Sequence, residues 1–110
     1  MPDYPETPDG RYFVARGRLW RRSDPKLPEA DRRDAVTELM AARRAVRDAS
    51  DEGNTRAARK RVDVAKVRLG ERGPVWWEDG APDVTRFAPW NTDYAEWWAD
   101  LPDSARKRGT

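Results

Sequence analysis

The sequence predicts a mainly α-helical fold: an antiparallel helical hairpin with one N-terminal β-strand and an irregular, Trp-rich C-terminal segment that ends in a short helix. Three observations predict it. Residues 28–49 and 55–69 repeat small and apolar side chains at helical spacing. Residues 11–20 alternate between two faces, as a strand does. Residues 74–98 hold five of the six tryptophans and three prolines, which exclude a long regular element.

The composition permits one small domain and excludes several classes of site. The chain has 110 residues, of which 37% are hydrophobic and 38% are charged, so its core must be thin. Six tryptophans and a net charge of only +2 distinguish it from disordered chains. The sequence contains no Cys and no His, which excludes disulfides and thiol chemistry and removes the usual general base and metal ligand. We therefore predict a protein that is not an enzyme and holds no cofactor or metal.

The N-terminal strand is predicted over residues 11–20, between a flexible, proline-rich arm at 1–10 and the helices. The predicted domain spans residues 11–103, and the basic tail at 104–110 is expected to fray. Because no other convincing strand is found, the backbone groups on its edges would lack partners. Pairing with the same strand of a second copy would satisfy them, which predicts a homodimer.

The first helix is predicted to start near Pro28, whose missing N–H suits the first helical turn. The sequence Asp-Glu-Gly-Asn at 51–54 breaks the helical pattern. Thr55 is the predicted N-cap of the second helix, and Gly70 or Gly73 would end it in the left-handed conformation. The short connection makes the two helices antiparallel neighbours.

The second helix carries apolar side chains on two sides. Val64 and Val67 point away from the seam that faces the first helix, so another part of the chain should cover them. The predicted cover is the Trp-rich segment at 74–98. A short last helix is expected to begin there near Thr92 or Asp93.

The chain resembles a family of small bacterial proteins of uncharacterised function, over roughly residues 11–98. The resemblance rests on RGRLWR (16–21), LMAARRAV (39–46), AKVRLGERGPVWWEDGAPD (65–83) and NTDYAEWW (91–98). The family pattern is a strand, an Ala/Arg-rich helix pair and a Gly-Pro-Val-Trp-Trp-x-Asp-Gly-x-Pro-Asp segment. Some members carry a label for Tol-type biopolymer transport. Such a component would need a membrane anchor or secretion signal, and this sequence has no apolar run near the roughly 20 residues that span a bilayer. The resemblance implies an architecture, without catalytic or binding residues.

Basic side chains near the tip of the helical hairpin form the first candidate binding site. They could contact nucleic acid phosphates, or they could simply be a solvated helix face. The candidates are Arg43, Arg44, Arg47, Arg56, Arg59, Lys60 and Arg61.

The tryptophans form the second candidate site, as a platform for stacking or as part of the core. Adjacent residues cannot both face inward, and we expect Trp76 and Trp97 to be the core members of their pairs. The aromatic candidates for binding are then Trp77, Trp90 and Trp98.

The carboxylates Glu78, Asp79 and Asp83 could bind a hard cation, although Asp-Gly at 79–80 is also typical of a turn. The predicted function is a non-catalytic protein-interaction module of unknown pathway, in the cytoplasm and away from membranes. The alternative is a nucleic-acid-binding accessory protein that uses the basic hairpin. The sequence does not identify the protein partner, which could be a second copy of the same chain in a homodimer. Nucleic acid would bind weakly, through charge alone.

Overall fold

A computed structural model describes residues 3–110; Met1 and Pro2, the start of the predicted arm, lie outside the described residues. The predicted fold class is confirmed. The elements are β1 (Tyr12–Ala15), β2 (Arg18–Arg21), α1 (Glu29–Asp48), α2 (Glu52–Leu69), a 3-10 turn (Pro89–Asn91), α3 (Ala95–Asp100) and α4 (Asp103–Gly109). They form two units. The Trp-rich unit comprises the chain up to Arg22 and Trp77–Thr110, and the helical unit is Ser23–Trp76.

The single strand predicted at 11–20 is a β-hairpin of two short strands. β1 and β2 pair antiparallel, with Ala15 opposite Arg18 beside the turn. The two turn residues, Arg16 and Gly17, have φ of 56° and 73°. Two central residues with positive φ are typical of a type I′ turn, which matches the twist of a hairpin. Gly17 therefore marks the turn and not the middle of a strand.

The outer edge of β1 is bonded to the N-terminal arm. The Val14 N–H donates to the Pro5 carbonyl at 2.9 Å, and the Thr7 N–H donates to the Tyr12 carbonyl at 2.9 Å. Pro5 and Thr7 are buried. The prediction of a flexible arm is wrong for this part of residues 1–10, because pairing with β1 orders it.

The outer edge of β2 is also bonded within the chain. The Leu19 N–H donates to the Phe87 carbonyl at 2.9 Å, and the Arg86 N–H donates to the Leu19 carbonyl at 2.7 Å. The strand thus finds partners inside its own unit. The unpaired strand from which we predicted a homodimer is absent among residues 3–110, and self-association stays a prediction without that support.

The C-terminal tail packs into the core of the Trp-rich unit. Residues Asp103–Gly109 form α4, with Ala105 and Gly109 buried, so the frayed tail predicted at 104–110 is wrong. A Cβ atom on Gly109 would lie 3.0 Å from the Trp98 ring, which shows how closely the helix approaches it. The Gly109 carbonyl accepts a hydrogen bond from the Gly17 N–H at 2.7 Å. This helix therefore closes the unit against the hairpin turn.

The helical unit follows the predicted pattern. α1 and α2 lie within a few residues of 28–49 and 55–69, and they pack through small and branched side chains. The core consists of Ala35, Leu39, Ala65 and Leu69, with Leu27, Val36 and Val62 packed against it.

The ends of α2 show one prediction confirmed and one corrected. Gly70 ends the helix with φ of 82°, as the sequence predicts. The N-cap is Asp51, whose carboxylate accepts from the Asn54 N–H at 2.8 Å, and not Thr55. Asp51 begins the helix one turn earlier because it satisfies an otherwise unpaired N–H there.

The second apolar side of α2 is exposed. Val64 and Val67 have exposed fractions of 50% and 42%. The prediction that the Trp-rich segment at 74–98 covers them is wrong. From Trp77 onward that segment belongs to the other unit, where it packs with the β-hairpin.

Candidate functional site: a basic groove on the helical hairpin

The seven basic residues proposed from the sequence do not form one surface. Arg47 pairs with its neighbour Asp48 at 3.1 Å. Arg61 of α2 forms an ion pair across the hairpin with Glu38 of α1, at 2.9 Å. These two arginines are therefore occupied by ion pairs within the hairpin.

Three further members of the set face in other directions. Arg44 and Lys60 each follow a buried alanine by two residues, and about 100° of rotation per residue turns them to the outer side. Arg56 lines an open cavity of about 610 Å³ at the tip of the hairpin, which Arg59 also lines. Asp51 and Glu52 line the same cavity, so its charge is mixed.

The two remaining arginines, Arg43 and Arg59, line a groove between α1 and α2. The groove has a volume of about 400 Å³, and its other lining residues are Val46, Val62 and Arg72. We call it the basic groove. Neither Arg43 nor Arg59 forms an ion pair within residues 3–110, so both guanidinium groups are available to a ligand.

The local sequence explains how the groove is built. On α2, Arg59, Val62 and Lys66 are spaced by three and four residues, which places them on one side of the helix. Val62 also packs against the core, so the apolar floor is fixed. After the end of α2, Arg72 binds Asp63 at 3.0 Å, which holds its guanidinium beside the same side of the helix.

Lys66 lies half-buried beside the groove, among other cations. Burial, followed by the positive charges of Arg72 and Arg43, lowers the pKa of Lys66, and Glu71 and Asp63 only partly offset this. The charged ammonium is thus less stable here than in water. An anion bound nearby would stabilise it, because an opposite charge favours the protonated form.

The groove combines donors with apolar surface. An arginine guanidinium can donate two parallel hydrogen bonds to one carboxylate, and such charge-assisted bonds are the stronger ones. Val46 and Val62 add a surface that an apolar side chain next to that carboxylate can contact. The chemistry of the lining is therefore recognition of an anion that carries apolar groups.

Sequence reasoning missed Lys66 and Arg72. Lys66 could have been found, because it continues the stripe of Arg59 and Val62 at helical spacing. Arg72 lies beyond Gly70, and no periodic pattern predicts where the chain turns after a helix end.

The aromatic candidates are placed differently from the prediction. Trp77 and Trp98 are 7% and 8% exposed, whereas Trp76 and Trp97 are half-buried. The second member of each pair is therefore the core residue, and Trp77 and Trp98 offer no exposed stacking surface. The sequence cannot show which neighbour faces inward. Trp90 is on the surface, with half of its area exposed.

The acidic candidates are engaged with arginines in the Trp-rich unit. Asp79 binds Arg11, and Asp83 binds the buried Arg21 at 3.0 Å. Glu78 is exposed. Within residues 3–110, no three acidic side chains come together as a metal site would need.

No helix in the described part of the chain is both long enough and apolar enough to cross a bilayer. Comparison with protein-family models, with curated proteins and with solved structures finds no match to this chain.

Proposed function

We propose that this chain is a non-catalytic protein-interaction module whose basic groove binds an acidic segment of a partner protein. The observation that carries the proposal is the pair of arginines without ion-pair partners, Arg43 and Arg59, at the rim of a groove with a valine floor. A segment with glutamates or aspartates next to leucine or valine would match both parts of the lining.

The electrostatics of Lys66 support the same occupant. Its ammonium is partly desolvated and lies near two arginines, so the groove has an excess of positive charge that Glu71 and Asp63 only partly neutralise. A carboxylate in the groove would relieve this repulsion as well as bind the guanidinium groups. Charge complementarity of this kind increases both specificity and the rate of association.

The alternative, a nucleic-acid-binding protein that uses the basic hairpin, has weaker support. Arg47 and Arg61 are held in ion pairs, and Arg44 and Lys60 face outward. A strand of phosphates needs a continuous row of cations, and these side chains do not provide one. Binding of phosphates at the hairpin would overturn the proposed acidic-peptide function.

The test uses a short fluorescein-labelled peptide that alternates glutamate pairs with leucines, and anisotropy as the measurement. The double variant Arg43→Gln and Arg59→Gln should weaken binding about fivefold to thirtyfold, since two partly exposed ion pairs contribute roughly 1–2 kcal/mol. A peptide with serines in place of the leucines should bind more weakly to the unmodified protein, because it cannot use Val46 and Val62.

The matched control is the double variant Arg44→Gln and Arg68→Gln. It removes the same charge from the same two helices, but Arg44 and Arg68 lie away from the groove. It should bind the peptide almost as well as the unmodified protein. Equal losses in the two double variants would show that binding follows net charge alone, and the proposal would fail.

The cytoplasmic location and the homodimer are proposals too. For the homodimer, sedimentation at micromolar concentration gives the measurement. A monomer at every concentration would leave the module with a different protein as its partner.

A further inference from the structure

Two large aromatic side chains are exposed on the Trp-rich unit. Phe87 and Trp90 have exposed fractions of 52% and 50%. The Trp90 ring rests on the buried Trp98, with 6.0 Å between ring centroids. A Cβ atom on Gly17 would lie 3.6 Å from the Trp90 ring, which places that ring against the hairpin turn. Trp98 and the hairpin turn thus contact the Trp90 ring, while half of the surface of Trp90 faces solvent.

Phe87 is held beside the same hairpin by backbone hydrogen bonds. Its carbonyl accepts from the Leu19 N–H at 2.9 Å, and the Arg86 N–H donates to the Leu19 carbonyl at 2.7 Å. The Arg18 guanidinium donates to the Arg86 carbonyl at 3.2 Å. These bonds bring Arg18, Arg86 and Phe87 together at the edge of β2.

Three arginines belong to the same segments as the two rings: Arg16 and Arg18 flank Gly17, which lies against the Trp90 ring, and Arg86 precedes Phe87 in the chain. All three are exposed, and none forms an ion pair with a carboxylate of residues 3–110. We call Arg16, Arg18, Arg86, Phe87 and Trp90 the aromatic–arginine surface.

Two of these arginines have an unfavourable backbone conformation. Within residues 3–110, the non-glycine residues with positive φ are Arg16, at 56°, and Arg86, at 74°. A side chain in this left-handed region costs roughly 1–2 kcal/mol. Strained residues of this kind concentrate at functional sites. Both side chains are exposed, so packing of the core does not require an arginine at either position.

From these observations we infer that the aromatic–arginine surface is a binding site for single-stranded nucleic acid. The guanidinium groups match phosphates, and unpaired bases can stack on the exposed faces of Trp90 and Phe87. Duplex DNA buries its base faces, and a peptide offers few planar groups for two rings. This site is distinct from the basic groove, with which it shares no residue.

Charge alone cannot supply the affinity of this surface. The Trp-rich unit contains nine basic and ten acidic residues, so it is close to neutral as a whole. Stacking on aromatic side chains is tolerant of sequence, because every base has a flat face. We therefore expect binding with little base preference and a modest dependence on salt.

The first test compares two fluorescein-labelled probes of equal length, an oligo(dT) strand and an abasic strand with the same number of phosphates. The double variant Phe87→Leu and Trp90→Leu keeps apolar volume but removes both stacking faces. It should weaken oligo(dT) binding about tenfold or more and leave binding of the abasic strand unchanged. Met40→Ala, at an apolar side chain of the helical unit that is 49% exposed, is the control and should change neither.

The second test removes charge. Arg16→Gln with Arg86→Gln should weaken both probes and reduce the slope of log affinity against log salt by about 1.4, or about 0.7 for each phosphate that is no longer neutralised. The control is Arg44→Gln with Arg68→Gln, which removes equal charge from the helical unit. Melting curves confirm that each variant is folded.

Four results with the nucleic-acid probes would overturn the inference. They are no binding of oligo(dT) at low salt, equal affinity for the two probes, no effect of the leucine variant, and equal effects of the two glutamine variants. Loss of acidic-peptide binding in the leucine variant would also overturn it, since the surface would then belong to a protein partner. Because the basic groove is tested with other variants, failure here leaves the proposed function standing.

Discussion

Trp77→Ala is the substitution that most directly tests how the Trp-rich unit is held together. The ring makes an edge contact with Tyr12, at 5.6 Å between centroids, and lies under the guanidinium of Arg11 at 4.8 Å. Its indole N–H donates to the Ala81 carbonyl at 2.8 Å. Removing a buried Trp side chain costs about 3–5 kcal/mol, and the cation–π contact adds about 0.5–1 kcal/mol. Total stabilities are about 5–15 kcal/mol, so we expect this unit to lose a large part of its stability.

The assay is urea unfolding followed by NMR cross-peaks, which report separately on the two units. With a denaturant slope of about 2 kcal/mol per molar, a loss of about 4 kcal/mol lowers the midpoint of the Trp-rich unit by about 2 M. Trp77→Phe keeps a ring in the site and should lose much less. Trp76→Ala is the neighbouring control. Because Trp76 is half-buried and belongs to the helical unit, this change should lower the midpoint of the Trp-rich unit less than Trp77→Ala does. A larger effect at Trp76, or an unchanged midpoint for Trp77→Ala, would refute the assignment of the core residue.

Three further predictions concern single positions. Arg16→Asn should raise the melting temperature, corresponding to about 0.5–1 kcal/mol, because Asn tolerates the left-handed conformation that a type I′ turn requires; a lower melting temperature would contradict the turn assignment. Asp51→Ala should lower the free energy of unfolding by about 1 kcal/mol because it removes the N-cap of α2. An unchanged stability in thermal unfolding would contradict the assignment of Asp51 as that N-cap. Burial raises the pKa of Asp83, but hydrogen bonds from Thr85 and the charge of Arg21 outweigh burial and lower this pKa below its ordinary value of 3.8. The ionised carboxylate of Asp83 therefore stabilises the fold above pH 3.8, and this stabilisation is lost as the pH falls through the lowered pKa. Asp83→Asn should then reduce the loss of stability in an acid titration. An unaltered acid transition would exclude Asp83 as its source.

Local patterns in the sequence predicted the helical unit well. The positions of Leu39, Ala65 and Leu69 follow the helical period, and Gly70 is a common helix end, so each residue carries its own signal. The N-cap was missed because Asp51 lies inside a stretch of polar residues that all suit a helix boundary.

The Trp-rich unit depends on contacts between distant parts of the chain, and the sequence predicted it less well. The sequence predicts one strand in place of the hairpin, because an Arg-Gly turn lacks the Asn-Gly or Asp-Gly signal of a type I′ turn. The pairing of Pro5 and Thr7 with β1, and of Phe87 with β2, has no periodic signature. The candidate groove was predicted in part: Arg43 and Arg59 were among the proposed residues, but the ion pairs that remove Arg47 and Arg61 are tertiary contacts.

The Trp-rich unit is assembled from both ends of the described chain, with the whole helical unit inserted between them. During synthesis the helical unit can complete its contacts as soon as Trp76 is available, because they are all local to one stretch of chain. The β-hairpin must wait much longer, since Gly17 receives its carbonyl partner only when Gly109 has left the ribosome. Until then Tyr12, Val14 and Leu19 lack the side chains that bury them, and they are exposed to other chains and to chaperones. A ribosome stalled before Gly109 would therefore carry a folded helical unit and an unfinished, aggregation-prone Trp-rich unit.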